Sequence, residues 1–304
     1  MEDKYMELLR LIEGIRSPFL DTIIGLITRL GEETVGIVIL CAIFWCISKK
    51  VAYGIGVAYF LSGLTVQGMK ICFRIDRPWI VDPTLKPVPS ALEHATGYSF
   101  PSGHTQSATA LFGSLGAQIR KTPISVIFFL LVVLVAFSRL YLGVHTLLDV
   151  GVSLIVSLLL VLLAAVLFKD DKINRKRELG IAAVMVLYAA LVILIAVLLY
   201  SNGVIEQTYV SDCLKAAGAG IGFAVGMYIE RVFIDFPVGT KRIIWQVVKY
   251  VIGIAGVLAI KEGLKLIIGT GLIVDTIRYF LMIIWVTVLF PLIIKRFFAN
   301  KKSS

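Results

Sequence analysis

Long apolar runs separated by short polar connections dominate the chain. A bilayer core about 30 Å thick is crossed by roughly 20 apolar residues in helical form. Nine stretches approach or exceed this length, and they lie near residues 20–48, 51–73, 103–119, 122–143, 145–168, 179–201, 213–231, 243–266 and 273–295. The pattern predicts an all-α fold, a polytopic transmembrane helical bundle with nine spans.

Two of these stretches are unusual. The first is interrupted by Arg29-Leu30-Gly31-Glu32-Glu33, so we expect either two half-helices or one tilted helix. The third, at 103–119, is short and carries polar residues such as Thr105, Gln106 and Ser107. Polar groups without partners cost free energy in hydrocarbon. The third stretch is therefore predicted to lie inside the bundle, away from lipid.

The first sixteen residues follow a different pattern. Apolar side chains from Tyr5 to Ile15 recur at helical spacing, opposite acidic residues such as Glu7 and Glu13. This predicts an amphipathic helix on the outer membrane surface, or a solvated cap on the first span. We divide the chain into an amphipathic segment at 1–16, a six-span core at 17–201 and a three-span region at 202–304.

Composition supports the membrane assignment. Hydrophobic residues make up 58% of the 304 residues and charged residues only 16%, whereas soluble domains are about 45–50% apolar and about 25% charged. A soluble globule and a disordered chain are thereby excluded. The net charge of +10 does not indicate nucleic-acid binding, because basic residues of membrane proteins collect in loops for topological reasons.

Positive charge is concentrated in alternate connections and at the C-terminus. The residues are Lys49, Lys50, Arg120, Lys121, Lys169, Lys172, Arg175, Lys176, Arg177, Arg231, Lys241, Arg242, Lys295, Arg296, Lys301 and Lys302. By the positive-inside rule this side is cytoplasmic. The sequence thus predicts a multi-pass protein of the plasma (inner) membrane, with a cytoplasmic C-terminus. The N-terminus and the loop at 74–102 are predicted to be extracytoplasmic.

A second group of cations lies on the side where positive charge is normally depleted. Lys70 and Arg77 flank the start of the 74–102 loop, and Arg139 ends the fourth span. The planar guanidinium of arginine suits phosphate oxygens. These residues therefore predict an anion site at the outer face of the membrane.

Two histidines accompany this predicted anion site. Pro101-Ser102-Gly103-His104 has the features of a helix start, and such a start binds phosphate through free N–H groups. His145 and Asp149 are spaced i and i+4 on one helix face. The carboxylate can hold one ring nitrogen and leave the other to act as a nucleophile.

These segments together resemble the signature of the type 2 phosphatidic acid phosphatase superfamily, which includes lipid phosphate phosphatases and glucose-6-phosphatase. The resemblance covers about residues 20–200, and nine spans are also found in glucose-6-phosphatase. All eleven signature positions are filled, by Lys70, Arg77, Pro78, Pro101, Ser102, Gly103, His104, Ser138, Arg139, His145 and Asp149.

The resemblance implies a role for each site residue. Phosphoryl oxygens are expected to be bound by Lys70, Arg77, Ser102, Gly103 and Arg139. His145 is the expected nucleophile that forms a phosphohistidine, Asp149 holds it, and His104 protonates the leaving group and then activates water. No metal and no cofactor are expected, because fixed cations and backbone donors stabilise the transition state. The expected substrate is a lipid phosphate or a polyprenyl pyrophosphate.

Two other functions stay open, a phosphatase of a soluble sugar phosphate and a non-catalytic phospholipid-binding or transport protein. His94 matches no signature position and is interpreted as a loop residue. In span seven, Gly218, Gly222 and Gly226 recur every four residues, which allows close packing onto the catalytic core or in a homodimer, with packing within the chain the simpler interpretation. Trp45 is interpreted as an interface anchor.

Overall fold

The computed structural model describes residues 2–93, 95–119, 122–170, 173–239 and 242–297, and within these ranges the regular structure is helical, without strands. The interpretation of His94 and the topological assignments of Arg120, Lys121, Lys172, Lys241, Lys301 and Lys302 lie outside them. The chain forms two compact units, one of Met1–Ile37 and Thr65–Val166, the other of Val38–Leu64 and Leu167–Ser304. These limits differ from the domain boundaries predicted at 16 and 201.

The first unit contains short helices as well as long ones. They are α1 (Glu2–Glu13), α2 (Pro18–Arg29), the start of α3 (Glu33–Ile47), the end of α4 (Lys49–Phe73), α5 (Pro78–Val81), α6 (Pro89–Leu92), α7 (Gly103–Ala108), α8 (Ser114–Gln118), α9 (Thr122–Tyr141) and α10 (Leu147–Leu167). A π-helical turn, Thr109–Gly113, joins α7 to α8.

The second unit consists of long helices. Besides the remaining parts of α3 and α4, it contains α11 (Arg175–Ser201), α12 (Gln207–Ile234), α13 (Ile243–Ile268) and α14 (Leu272–Phe297). The last turns of α12 are π-helical, and π-helical turns also interrupt α13 and α14.

Seven helices of the described residues are long and apolar enough to cross a membrane, and an eighth span results if α2 and α3 are counted as one bent pair. The third predicted span, at 103–119, is a continuous helical run made of α7, the π-helical turn and α8, and it is shorter than the roughly 20 residues that cross a bilayer. Its polar residues Thr105, Gln106 and Thr109 are buried. The prediction that this stretch lies in the protein interior is thereby confirmed.

The predicted interruption of the first span is also confirmed. Ser17 caps α2 and Pro18 occupies its first turn, where the missing N–H of proline has no cost. The helix ends at Arg29, and α3 continues after a bend of 49°. The first span is therefore two half-helices.

The amphipathic helix α1 packs against protein. Leu9 and Ile12 are buried in a cluster that includes Leu85 and Leu140. Arg10 forms an ion pair of 2.6 Å with Asp82, while Leu11 and other apolar side chains stay exposed. α1 therefore packs against the segment from Asp82 to Ala91. Neither sequence interpretation predicted this contact, because the apolar residues of that segment form no recognisable pattern.

The glycines of α12 fit closely against α14. A Cβ atom at Gly218 would lie 2.3 Å from the Thr276 carbonyl oxygen, and one at Gly222 would lie 2.8 Å from that of Phe280. Only hydrogen at these positions permits the observed separation. The prediction of packing within the chain is confirmed, but these glycines pack against α14 and not against the catalytic core.

Trp45 corrects a sequence interpretation. Its side chain is fully buried in the second unit, where Nε1 donates to the Val286 carbonyl at 3.0 Å and the ring meets Phe290 edge to face. It is a core residue rather than an interface anchor, since packing against α14 outweighs the preference of indole for the interface.

We expect Gly222→Ala to lower the stability of the protein. The added methyl group would collide with backbone, so the two helices would have to separate at a cost of about 1–3 kcal/mol. Apparent melting temperatures in one detergent provide the measurement. Gly180→Ala is the matched control, because a Cβ on that α11 glycine finds no atom within 4 Å. Equal melting temperatures for the two variants would contradict the packing described.

Candidate active site

Three segments of the first unit meet around His145. They are the end of α4 with the following loop, the start of α7, and the turn that joins α9 to α10. Lys70, Arg77, Arg139 and His145 are each at most 9% exposed. The predicted site residues are therefore brought to one place, and the cations lie beneath the protein surface.

Arg77 is held by backbone carbonyl groups. Its Nε donates to Gly97 at 3.0 Å, Nη2 donates to Thr96 at 2.7 Å, and Nη1 donates to Val144 at 2.9 Å. The same Nη1 lies 2.9 Å from Nε2 of His145. Arg77 thus joins the 96–97 loop to the 144–145 turn, a clamping role that the sequence did not indicate.

The contact with Arg77 fixes the tautomer of His145. A guanidinium group only donates hydrogen bonds, so Nε2 must be the ring nitrogen that carries the lone pair. The proton then lies on Nδ1, which is 3.4 Å from Oδ2 of Asp149. This is the predicted pairing, although the distance is longer than that of a strong hydrogen bond.

Asp149 is held more tightly by two other donors. Ser99 Oγ donates to its Oδ2 at 2.6 Å, and the backbone N–H of Thr146 donates to the same oxygen at 2.7 Å. The N–H of Asp149 in turn donates to Thr146 Oγ1 at 3.3 Å. This reciprocal pair is a capping box at the start of α10. The Asp149 carboxylate therefore caps the start of α10 and also faces the imidazole ring of His145.

Ser99 and Thr146 were not among the residues predicted from the sequence. Thr146-x-x-Asp149 was a readable signal, since a hydroxyl residue followed three positions later by an acidic or amide side chain before an apolar run marks a capping box. Ser99 had no comparable signal, because its contact joins positions 50 residues apart.

The start of α7 is fastened to α10. Ser102 Oγ caps α7 by accepting from the N–H of Thr105 at 3.4 Å. The N–H of Ser102 donates to the Asp149 carbonyl at 3.1 Å, and its carbonyl accepts from Ser153 Oγ at 2.7 Å. Gly103 and His104 are only partly buried, and a Cβ on Gly103 would meet no atom within 4 Å. These two residues form the open side of the site.

Arg139 presents one edge of its guanidinium group. Nη1 donates to Thr28 Oγ1 at 2.7 Å. Among the described residues, the buried Nε and Nη2 have no hydrogen-bond partner. These two nitrogens form one planar edge, the geometry that grips two oxygens of a carboxylate or phosphate. The arrangement fits the predicted anion-binding role of Arg139.

The electrostatic environment keeps His145 neutral. Burial lowers the pKa of His145 well below its ordinary value, and the positive charges of Arg77, Arg139 and Lys70 lower it further. Lys70 Nζ itself donates to the Tyr98 carbonyl. A neutral imidazole with a lone pair on Nε2 is the form required of a nucleophile. Within the described residues, no cluster of three or more histidine, cysteine or acidic side chains could hold a metal ion.

Family models match two parts of the chain. Residues 51–173 match the PAP2 superfamily, and residues 214–302 match a second model described as the transmembrane extension of PAP2 superfamily phosphatases. The first segment contains every signature residue of the site. The second begins within α12 and continues through α14.

Similar proteins include two with assigned activities. The chain is 31% identical over 163 residues to a probable sphingosine-1-phosphate phosphatase of Dictyostelium discoideum. The matched region covers 48% of this chain and 38% of that protein. It is 28% identical over 180 residues to phosphatidylglycerophosphatase B of Bacillus subtilis, covering 54% and 82% respectively. A crystal structure of a transmembrane PAP2-type phosphatidylglycerolphosphate phosphatase from Bacillus subtilis covers 56% of this chain and 87% of that one, with 23% identity and a TM-score of 0.48.

We expect the depressed pKa of His145 to make the protein less stable in mild acid. The folded pKa lies below the unfolded value of about 6.5, so the unfolded state binds the extra proton first as pH falls. Stability is then lost below about pH 6.5, by at most ~1.4 kcal/mol per pH unit for this one group. Apparent melting temperatures between pH 7.5 and 5.5 measure the loss. His145→Gln should show a shallower dependence on pH, and equal slopes would contradict the assignment.

Proposed function

Because the chain belongs to the PAP2 superfamily, we propose that it is an integral-membrane phosphatase that hydrolyses a lipid phosphate through a phosphohistidine intermediate. The observation that carries the proposal is the surroundings of His145. Its Nε2 lies 2.9 Å from Arg77, and Arg139 nearby keeps one buried guanidinium edge without a partner in the described residues. A phosphoryl group bound between His145 and Arg139 would contact the nucleophile and the two cations Arg77 and Arg139.

The first chemical step is attack by His145. A phosphoryl oxygen takes over the hydrogen bond that Arg77 Nη1 makes to Nε2. The freed Nε2 lone pair then forms an N–P bond while the bond from phosphorus to the leaving oxygen breaks. His104, at the open side of the site, gives its proton to that oxygen. Lys70, Arg77 and Arg139 stabilise the charge on the phosphoryl oxygens, the task that a metal ion performs in other phosphotransferases. The hydrogen bonds of Asp149 hold the imidazole ring in place.

The second step returns the enzyme to its starting state. His104, now neutral, takes a proton from a water molecule at the open side, and the water oxygen attacks phosphorus. The N–P bond breaks, its electron pair returns to Nε2 of His145, and orthophosphate leaves. The accessibility of Gly103 and His104 supports this step, because water and leaving group both need access there.

A lipid substrate is supported by the surroundings of the site. Apolar side chains beside Arg77 are exposed, including Phe73 at 58%, Ile80 at 57% and Val81 at 54%. Such residues suit contact with acyl chains at the membrane surface. The names of both relatives with assigned activities are those of lipid phosphate phosphatases. We propose that the headgroup enters from the bilayer while its tails remain there.

We also propose that the site faces the extracytoplasmic side of the plasma membrane. The charge asymmetry of the sequence supports this orientation, because the connections rich in lysine and arginine lie at the opposite ends of the spans.

Trapping experiments should separate the roles of the two histidines. We expect His145→Ala to abolish turnover and to form no phosphoenzyme, because the nucleophile is absent. With p-nitrophenyl phosphate, which has a good leaving group, His104→Ala should still accumulate acid-labile phosphohistidine. Rapid quenching and mass spectrometry measure the adduct. Absence of the adduct in wild type and in both variants would overturn the assigned intermediate.

Substrate panels in EDTA should test the reaction class. We expect the purified protein in detergent to release phosphate from lipid phosphates without added metal, because the buried cations supply the positive charge. Phosphatidic acid, phosphatidylglycerophosphate, a polyprenyl pyrophosphate and a sugar phosphate are compared in one assay, with His145→Ala as the blank. Preference for the sugar phosphate would favour the soluble-substrate alternative. Lipid binding without phosphate release would favour the non-catalytic one, and a requirement for divalent metal would contradict the mechanism.

A further inference from the structure

The break between α2 and α3 contacts two parts of the active site. On one side of the break, Thr28 Oγ1 accepts the hydrogen bond of 2.7 Å from Nη1 of Arg139. At the break itself, Gly31 lies so near α7 that a Cβ there would be 2.7 Å from the His104 carbonyl oxygen and 3.0 Å from its Cβ. No signature position of the family falls in this segment.

The helix that carries Thr28 is fixed independently of Arg139. Tyr141, at the end of α9, donates through its hydroxyl to Asp21 Oδ1 at 2.8 Å. The N–H of Ser17 donates to the same hydroxyl at 3.4 Å. Because α2 is attached to α9 at this second point, Thr28 is a fixed acceptor, and it is 9% exposed.

The hydrogen bond that Arg139 donates to Thr28 determines which edge of Arg139 faces the substrate. With Nη1 occupied, the edge made of Nε and Nη2 is left for two phosphoryl oxygens. Without an acceptor at Nη1, the guanidinium group could turn and offer one nitrogen in place of two. The threonine hydroxyl carries no charge, so it holds Arg139 without neutralising it, as a carboxylate in the same place would.

The break allows this helix to approach α7. Gly31 N donates to the Thr28 carbonyl at 3.0 Å, and Glu32 N donates to that of Arg29 at 3.0 Å, so a tight turn ends α2. Any side chain at position 31 would push against the backbone of His104. Glycine is therefore required for the close approach of this turn to the backbone of His104.

We propose that the break in the first span is a positioning element of the active site, in which Thr28 orients Arg139 toward the phosphoryl group and Gly31 sets the position of His104. The inference rests on the proposed phosphatase function. The interruption between α2 and α3 then has a role in positioning catalytic groups, besides changing the direction of the chain.

The first test replaces the hydroxyl of Thr28. Thr28→Val keeps the shape and removes the acceptor, and we expect kcat/KM to fall about 10- to 100-fold, the value of a hydrogen bond to a charged group. Inhibition by orthovanadate, which occupies the phosphoryl site, should weaken in parallel. Thr28→Ser should restore activity to within about threefold, because it restores the acceptor. Thr22→Val is the matched control, since that hydroxyl donates only within α2, to Pro18.

A double-mutant cycle distinguishes positioning from a general structural effect. In an Arg139→Lys background, Thr28→Val should cost little further activity, since the group that it orients has gone. The same fold loss in both backgrounds would overturn the proposal, as would wild-type vanadate inhibition in Thr28→Val. If the valine variant does not accumulate in the membrane, Thr28→Ala takes its place in every comparison.

The second test concerns His104. Gly31→Ala should lower kcat/KM, which reports formation of the phosphohistidine, more for an alkyl phosphate, whose leaving oxygen needs a proton, than for p-nitrophenyl phosphate, whose leaving group does not. Gly25→Ala, within α2 and with no atom within 4 Å of the added methyl, should match wild type. Equal losses with both substrates would overturn the role of Gly31. Failure of the wild type to turn over any phosphate ester would instead refute the proposed function itself.

Discussion

The structure of the first unit depends on burying three positive charges around one imidazole. A buried charge costs several kcal/mol unless polar groups replace the lost water. Backbone carbonyls of residues 96–98 and 144, with one threonine hydroxyl, take over this role for Lys70, Arg77 and Arg139. These neutral oxygens solvate the cations directly, while the carboxylates of Glu32 and Asp149 act on Arg139 and Arg77 through the electric field only. The path of the 74–102 loop is therefore fixed by the need to bring these carbonyls to the cations.

The fold class could be predicted from the sequence because span length is a local signal, and the prediction of the eight site residues rests on local motifs as well. Span length, helix starts and the spacing of His145 and Asp149 involve neighbours in the chain. The partners of those residues could not be found in this way. Thr28 meets Arg139 across 111 positions and Ser99 meets Asp149 across 50, and only the packed structure shows which hydroxyl of many makes the contact.

Some charges that the sequence analysis treated as purely topological have partners. In the second unit, buried Arg231 lies 3.1 Å from Glu178, which is also paired with Arg177, and Lys49 lies 3.0 Å from the buried Glu230. A charge at the end of a span can thus follow the positive-inside rule and also join helices. Removing Glu178 would take the carboxylate away from buried Arg231, so these positions combine two constraints that composition alone does not separate.

The capping box at the start of α10 has a consequence for how the protein tolerates change. One carboxylate oxygen of Asp149 both completes the first turn of a helix and faces the histidine ring. A substitution at position 149 therefore changes the cap of α10 and the contact with His145 together.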